Sequence, residues 1–361
     1  MSRIIFHIDV NNAFLSWTAV YLLKKGYKKD IRKIPSVIGG DEKQRKGIVL
    51  AKSPVAKKYG IVTAETLYSA RKKCGWIEIF PPNYPFYVEQ SKKLYDYLAS
   101  YTPNIEQYSI DECFLDMTGT SLLYGNNYVK LAYKIKNDIR EKYGFTVNIG
   151  IGENKLCAKM ASDFKKPDRV HTLYMNEIET KMWSLPVNDL FMLGRSSARR
   201  LEELGIRTIG DLAKTDKELL SKKFGKHGIM MWEYANGIDN SEVQYKFENP
   251  KGIGNSTTLP VDIIEISKLE EVLLALTEQV TYRLRKYNML ANVVNVQLRT
   301  SNFENKTHQR KLNEATSNTK DIFRMAKELL EEMYTNGIAI RLVGMRVDGL
   351  IEKNEKQLSL F

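Results

Sequence analysis

Three acidic residues stand where strand-like apolar runs end. Asp9 closes RIIFHIDV (residues 3–10), and Asp111 and Glu112 lie side by side in QYSIDECFLD (107–116). Neighbouring side chains on a regular strand point to opposite faces, so Asp111 and Glu112 serve one ligand only where the strand ends or turns. Ser109 and Asp111 are suitable turn residues. Convergent carboxylates repel at neutral pH and require a cation, either a basic side chain or a metal ion. Three carboxylates meeting from two strands make a donor set for magnesium, whose oxygen shell is ordinarily completed by substrate phosphates. Two such ions about 4 Å apart serve displacement at phosphorus. The structural reading of the same spacing is that the acids cap turns or pair with lysines. The histidines, His7, His171, His227 and His308, show no ligand spacing, and neither a P-loop nor a GxSxG motif occurs.

Positioning these acids requires a sheet. The run at residues 3–10 suits a strand buried on both faces, with Asp9 at its C-terminal end, where sites in α/β sheets tend to sit. Residues 15–29 carry a helical pattern. The stretch from Lys24 to Lys58 is rich in Lys and Arg, with GIVLAKS from Gly47 as a short strand, and reads as a basic lobe inserted early. From Gly75 to Pro167 strands and amphipathic helices alternate, predicting a mixed sheet flanked by helices. Between Pro186 and Gly237, Leu193-Gly194-Arg195 and Leu204-Gly205-Ile206 flank the helical run SSARRLEEL, the pattern of a helix-hairpin-helix module. Such turns aim backbone N–H groups at a phosphate, with Ser196 or Ser197 as candidate caps. An ordinary helical hairpin is the bland alternative. A polar linker at 238–250 leads to a last domain with the ferredoxin-like βαββαβ order. Within it Arg283, Arg285, Lys286, Arg299, Lys306, Arg310 and Lys311 face a single acid, Glu304, between Thr281 and Lys311.

Composition narrows the partners. The 361 residues carry 55 Lys and Arg against 43 Asp and Glu, a net charge of +12, with a sequence pI near 9.3. An acidic partner is expected, and nucleic acid fits best, since no lipidation signal or basic amphipathic helix points to a membrane. The alternative is a merely solvated surface. No apolar run approaches the roughly 20 residues of a bilayer span. MSRIIFHID lacks the features of a signal peptide, so a cytoplasmic location is expected. Cys74, Cys113 and Cys157 form no CxxC pair, which argues against a disulfide framework and structural zinc.

Taken together, HIDVNNAF (7–14), YSIDE (108–112), NIGIGENKLCAKMASDFKKPD (148–168) and the two later modules give a chain that resembles the Y-family, translesion DNA polymerases of the DNA polymerase IV and UmuC-like group over nearly its whole length. The resemblance implies an α+β multidomain right-hand polymerase. Its parts would be a mixed-sheet palm (1–18 and 76–167), small fingers (19–75), a helix-hairpin-helix thumb (168–237), the linker (238–250), a little finger (251–350) and a tail (351–361). It implies low-fidelity extension of a primer–template by incoming dNTPs across damaged template, as a monomer. A catalytically silent DNA- and clamp-binding relative is the alternative, and a Mg²⁺-dependent nuclease ranks last.

By the same resemblance Asp9, Asp111 and Glu112, with the backbone carbonyl of Val10, hold two Mg²⁺ ions, for which Mn²⁺ can substitute. Phe14 is the aromatic gate beneath the sugar; Asn11, Asn12 and Ala13 lie along the nucleotide; and Lys166 reaches the triphosphate. The chain departs from the family pattern in the fingers. Pro54 stands where relatives carry a Tyr and Lys57 where they carry an Arg, which leaves Ser53 as a candidate replacement donor. The thumb hairpin reads Leu193-Gly194-Arg195 where two glycines are common. Gly194, Arg195, Arg283, Arg285, Arg299 and Arg310 are the candidate DNA contacts. The last five residues, QLSLF, resemble the peptide by which bacterial polymerases dock on the sliding clamp, through Gln357, Leu358, Leu360 and Phe361.

Overall fold

The computed structural model describes residues 3–45, 47–245 and 249–353. It divides into two compact units, one from residues 1–39 and 49–247, the other from 40–48 and 248–361. The QLSLF segment, with Gln357, Leu358, Leu360 and Phe361, lies outside the described residues.

The first unit runs β1 (Ile5–Val10), α1 (Ala13–Lys24), β2 (Ser36–Gly39), β3 (Val49–Lys52), α2 (Pro54–Lys58), α3 (Leu67–Lys73), β4 (Glu78–Phe80), α4 (Tyr84–Ala99), β5 (Ile105–Gln107), β6 (Glu112–Asp116), α5 (Ser121–Tyr124), α6 (Tyr128–Tyr143), β7 (Val147–Gly152), α7 (Lys155–Asp163) and β8 (Val170–Leu173). Five short helices follow: α8 (Ile178–Lys181), α9 (Arg195–Glu203), α10 (Ile209–Lys214), α11 (Lys217–Phe224) and α12 (Lys226–Ala235). The main sheet has the order β5-β6-β1-β7-β8, with β1 antiparallel to both neighbours. Every residue of β1 is buried, as a run apolar on both faces requires.

Alternation along β1 divides its labour. Phe6, Ile8 and Val10, with Cys113 and Leu115 of β6 and Ile149 and Ile151 of β7, join Leu94 and Leu98 of α4 and Ile135 and Ile139 of α6 in one core. Ile5, His7 and Asp9 take the opposite face. There α7 lies directly on β7, because Gly150 and Gly152 carry no side chain. A Cβ on Gly150 would sit 2.0 Å from the Ala158 carbonyl oxygen and 2.4 Å from the Ser162 nitrogen, and one on Gly152 2.6 Å from Cys157 Cβ. A smaller sheet of order β3-β2-β4 builds the inserted basic lobe over Val37, Val49, Ala56, Ile61, Leu67 and Ala70.

Helices α8 to α12 share a core that includes Leu201, Leu212, Leu220 and Met231. The N-cap of α9 is Gly194, without a side-chain cap. Neither Ser196 nor Ser197 caps it, contrary to the sequence expectation, because the helix begins at Arg195 and both serines lie within its first turn. Gly205, at φ 82°, adopts the left-handed conformation that turns the chain after α9.

The second unit contains β9 (Gly252–Ile263), α13 (Ile266–Lys286), β10 (Met289–Thr300), β11 (Asn305–Thr316), α14 (Thr319–Met333) and β12 (Ile340–Glu352). The βαββαβ succession is present, and the antiparallel sheet runs β11-β10-β12-β9, with β10 and β12 central. Leu269, Leu273, Leu276, Val280 and Leu284 of α13 and Ile322, Ala326, Leu329 and Leu330 of α14 pack on Val294, Val296, Leu298, Val343, Met345 and Val347. Both helices therefore cover one face, and the other remains open.

Gly150→Ala should lower stability by about 3 kcal/mol, the upper end of over-packing costs, because backbone rather than a flexible side chain occupies the space. Urea unfolding checks this: an unchanged midpoint would mean that α7 does not depend on the missing side chain.

Candidate active site

The acids meet because of register and a turn. Asp9 and Glu112 are direct partners across β1 and β6, so their side chains share a face. Asp111 precedes the first residue of β6 and escapes the alternation that would have turned it away. The Glu112 carbonyl accepts the N–H groups of Tyr108, at 3.0 Å, and Ser109, at 3.2 Å, closing a tight turn. Within it the Ser109 hydroxyl donates to Asp111 Oδ1 at 2.8 Å. The Val10 N–H donates to the Asp111 carbonyl at 3.0 Å, tying the turn to the end of β1.

Two lysines bind this acidic end. Lys159 of α7 lies 2.9 Å from Glu112 Oε1, 3.6 Å from Asp9 Oδ2 and 3.5 Å from Asp163 Oδ2. Lys166, just beyond α7, lies 3.0 Å from Asp9 Oδ1 and 2.8 Å from Asp163 Oδ1. Burial pushes Asp9 up to about 6 against the pull of Lys166 and Lys159. Burial also raises Asp111. Burial opposes ionisation of Glu112 too, but the contacts with His7 and Lys159 outweigh it and hold the carboxyl well below its ordinary value. His7 is buried and pushed down to about 4 by desolvation, so the ring is neutral at physiological pH.

Four carboxylates, Asp9, Asp111, Glu112 and Asp163, thus face two ammonium groups, an excess of two negative charges. Among the described residues no three Asp, Glu, His or Cys side chains form a ready-made metal cage. The donors nonetheless suit a hard divalent cation, since Asp9, Asp111, Glu112 and the Val10 carbonyl offer only oxygen and the local charge is uncompensated. Lys159 and His7 were not singled out in the sequence. Their signals were there: His7 sits at i−2 from Asp9 on one strand face, and Lys159 and Asp163 are one helical turn apart.

The remaining expected residues cluster near β1. Phe14, the second residue of α1, is half-buried, stacked on Tyr87 at 4.7 Å between centroids with 10° between planes and edge-on to Tyr84 at 6.1 Å. Asn11 is buried and donates to the Thr146 hydroxyl at 3.1 Å. Asn12, at φ 52°, turns the chain into α1 and donates to the Lys52 carbonyl at 2.7 Å. Ala13 is buried at the first helical position. Lys57 is exposed on α2. Ser53 cannot replace a lost donor: its hydroxyl donates to the Ile34 carbonyl at 2.7 Å and accepts from the Ala56 N–H as the N-cap of α2.

The candidate DNA contacts scatter. Gly194 and Arg195 lie exposed at the start of α9. In the second unit, Arg299 shares the open sheet face with Asn295, Gln297, Gln309, Lys311 and Arg346, as the pairing register requires. Arg310 faces the helices, where it pairs with Glu328 and Glu332 of α14. Arg283 and Arg285 of α13 donate to the carbonyls of Gly254 and Ser317. One-residue alternation thus sorts this basic stretch onto two faces.

Residues 8–163 match the model of the impB/mucB/samB family and residues 250–360 that family's C-terminal domain; residues 188–239 match the thumb domain of DNA polymerase-iota. A protein named DNA polymerase IV from Clostridium acetobutylicum is 51% identical over all of this chain and 90% of its own length. Another of that name, from Clostridium kluyveri, is 38% identical over all of this chain and 89% of its own. A solved Y-family DNA polymerase chimera shares the fold at a TM-score of 0.85 and 24% identity, covering 97% of this chain and 99% of that one. On the strength of full-length identity to such relatives and of three matching domain models, the chain belongs to the impB/mucB/samB family of Y-family DNA polymerases.

Proposed function

We propose that this DNA polymerase adds dNTPs to a primer 3′ end by two-metal nucleotidyl transfer and is specialised for low-fidelity bypass of damaged template. The observation that carries the reading is the convergence of Asp9, Asp111 and Glu112 at one end of β1 and β6, with Lys166 beside them. Asp9, Asp111, Glu112 and the Val10 carbonyl are the proposed oxygen ligands of two Mg²⁺ ions, which when bound would favour ionisation of the primer hydroxyl and offset the negative charge on the phosphate oxygens. The rest falls to the chain. Lys166, paired with Asp9 and Asp163, is a mobile point charge suited to the β- and γ-phosphates. Lys57 adds charge without a bidentate fork. Phe14, immobilised by stacking on Tyr87, presents a hard surface that a 2′-hydroxyl strikes.

A small inserted lobe, with strands of 4, 4 and 3 residues, offers little surface for inspecting the shape of a base pair, consistent with tolerance of lesions. The open face of the second unit, with Arg299, Lys311 and Arg346 among amides, suits a phosphate backbone, and Gly194 and Arg195 add a helix N-terminus. Ion pairing of Arg310 leaves it less available. No described helix is long and apolar enough to cross a membrane, and a monomer working in the cytoplasm completes the proposal.

Asp9→Ala or Asp111→Ala should abolish primer extension while primer–template affinity stays within about threefold, because affinity comes from basic surfaces. Parallel loss of binding and extension, read by fluorescence anisotropy and gel assay, would refute the assignment.

Phe14→Ala should admit ribonucleotides, discrimination between dCTP and rCTP opposite template G falling by about 100-fold or more while dNTP incorporation continues. Unchanged single-turnover discrimination would reduce Phe14 to a core residue.

Removing residues 357–361 should leave clamp-free extension unchanged and remove stimulation by a loaded sliding clamp, since tethering acts through local concentration. Equal stimulation of intact and shortened protein would exclude QLSLF as the main clamp contact.

A further inference from the structure

Behind Glu112, on the same sheet face, lies a buried histidine to which the proposed reaction gives no role. His7 is wholly buried, its ring 4.6 Å from that of Phe114 between centroids. Nδ1 is 2.8 Å from the Ser162 hydroxyl of α7. Among the described residues Nε2 has no hydrogen-bond partner, and it stands 3.6 Å from Glu112 Oε2. The other carboxylate oxygen, Oε1, receives Lys159 at 2.9 Å. A buried polar atom left unsatisfied is destabilising, and an apolar side chain would fill a sheet core without that cost.

We propose that His7 is a positioning residue for Glu112: the Ser162 hydroxyl donates to Nδ1, the ring hydrogen resides on Nε2, and this N–H holds Oε2 while Lys159 holds Oε1. Proton counting favours the arrangement. Ser162 has one hydroxyl hydrogen and two acceptors in reach, His7 Nδ1 and the Lys159 carbonyl, each at 2.8 Å. The Lys159 carbonyl lies inside α7, where the helical amide four residues on already serves it. The hydroxyl hydrogen, which one orientation places on the Lys159 carbonyl, can turn to the ring and leave that carbonyl satisfied by the helical amide. In the other tautomer an Nε2 lone pair would face a carboxylate, two acceptors with no hydrogen between them. At 3.6 Å the two atoms stand beyond hydrogen-bond length, so the N–H acts on Oε2 as a short electrostatic contact. The same scaffold explains why Ser162, Lys159 and His7 all depend on α7 lying against β7. The inference rests on the reading of Glu112 as a site carboxylate.

Long-range ¹H–¹⁵N correlation on the full chain reads the protonated ring nitrogen of His7 directly. Protonated Nε2 is expected, and a ring protonated on Nδ1 alone would overturn the proposal. The second arm uses single-turnover extension. His7→Leu should slow the rate about 10-fold, the lower range for losing a group behind a metal ligand, with apparent dNTP affinity within about twofold. His7→Gln, whose amide nitrogen reaches as Nε2 does, should recover most of the rate. Mn²⁺ binding read by electron paramagnetic resonance should weaken in His7→Leu and recover in His7→Gln. In a Glu112→Gln background His7→Leu should add no further loss. Equal loss in both backgrounds, or His7→Gln as slow as His7→Leu at an unchanged thermal midpoint, would make His7 structural only. A Glu112→Gln protein with full rate would instead refute the reading of Glu112 itself.

Discussion

Lys159 reaches Glu112, Asp9 and Asp163 from a helix pressed against the central sheet, and the acidic end of that sheet is tenable because of this contact. Partly buried carboxylates on adjacent strands repel each other in a medium that screens less well than bulk water. A lysine delivered from the covering helix supplies the charge at short range. Its delivery requires α7 to approach β7 as closely as backbone allows, which Gly150 and Gly152 permit. The packing and the chemistry are one constraint: bulk on β7 would lift the helix and withdraw the ammonium group together with the Ser162 hydroxyl.

Compensation stops short of completion, and that shortfall suits a site for cations. Asp9 is held up to about 6 from an ordinary 3.8, so folding favours its protonated form. The sign of the linkage follows: the contribution of Asp9 to stability falls as pH rises from about 4 to 6, and at neutral pH the folded chain carries an ionised group it would rather neutralise. Glu112 behaves oppositely, its contribution being lost as pH falls toward its depressed value. A divalent ion of the kind proposed would relieve the first group, whereas Glu112 is already held at Oε1 by Lys159.

The second unit uses the same alternation for another purpose. Apolar residues of β10 and β12 seal against α13 and α14, which leaves Asn295, Gln297, Arg299, Lys311 and Arg346 on the open face. Amides and scattered cations are able to contact a phosphate backbone without choosing a sequence, which is the role proposed for this face. Arg310, one residue from Gln309 and Lys311 in the chain, belongs to the covered face and is held by glutamates of α14.

Local patterns were enough for the strand that carries Asp9 near its end, the turn at Ser109 and Asp111, the helical module at Leu193 to Gly205 and the βαββαβ succession, because period and turn chemistry are local properties. Motif order along the chain further identified the family. Tertiary structure decided that Lys159 faces the acids and that Lys166 pairs with Asp9, since Lys159 is one of 55 Lys and Arg residues until α7 lies on β7. It also decided that the Ser53 hydroxyl is consumed inside its own lobe, that Arg310 turns away from Arg299, and that His7 lies between Ser162 and Glu112. Each of these depends on strand register and helix placement, which arise from contacts between residues tens to hundreds of positions apart and leave no mark on local composition.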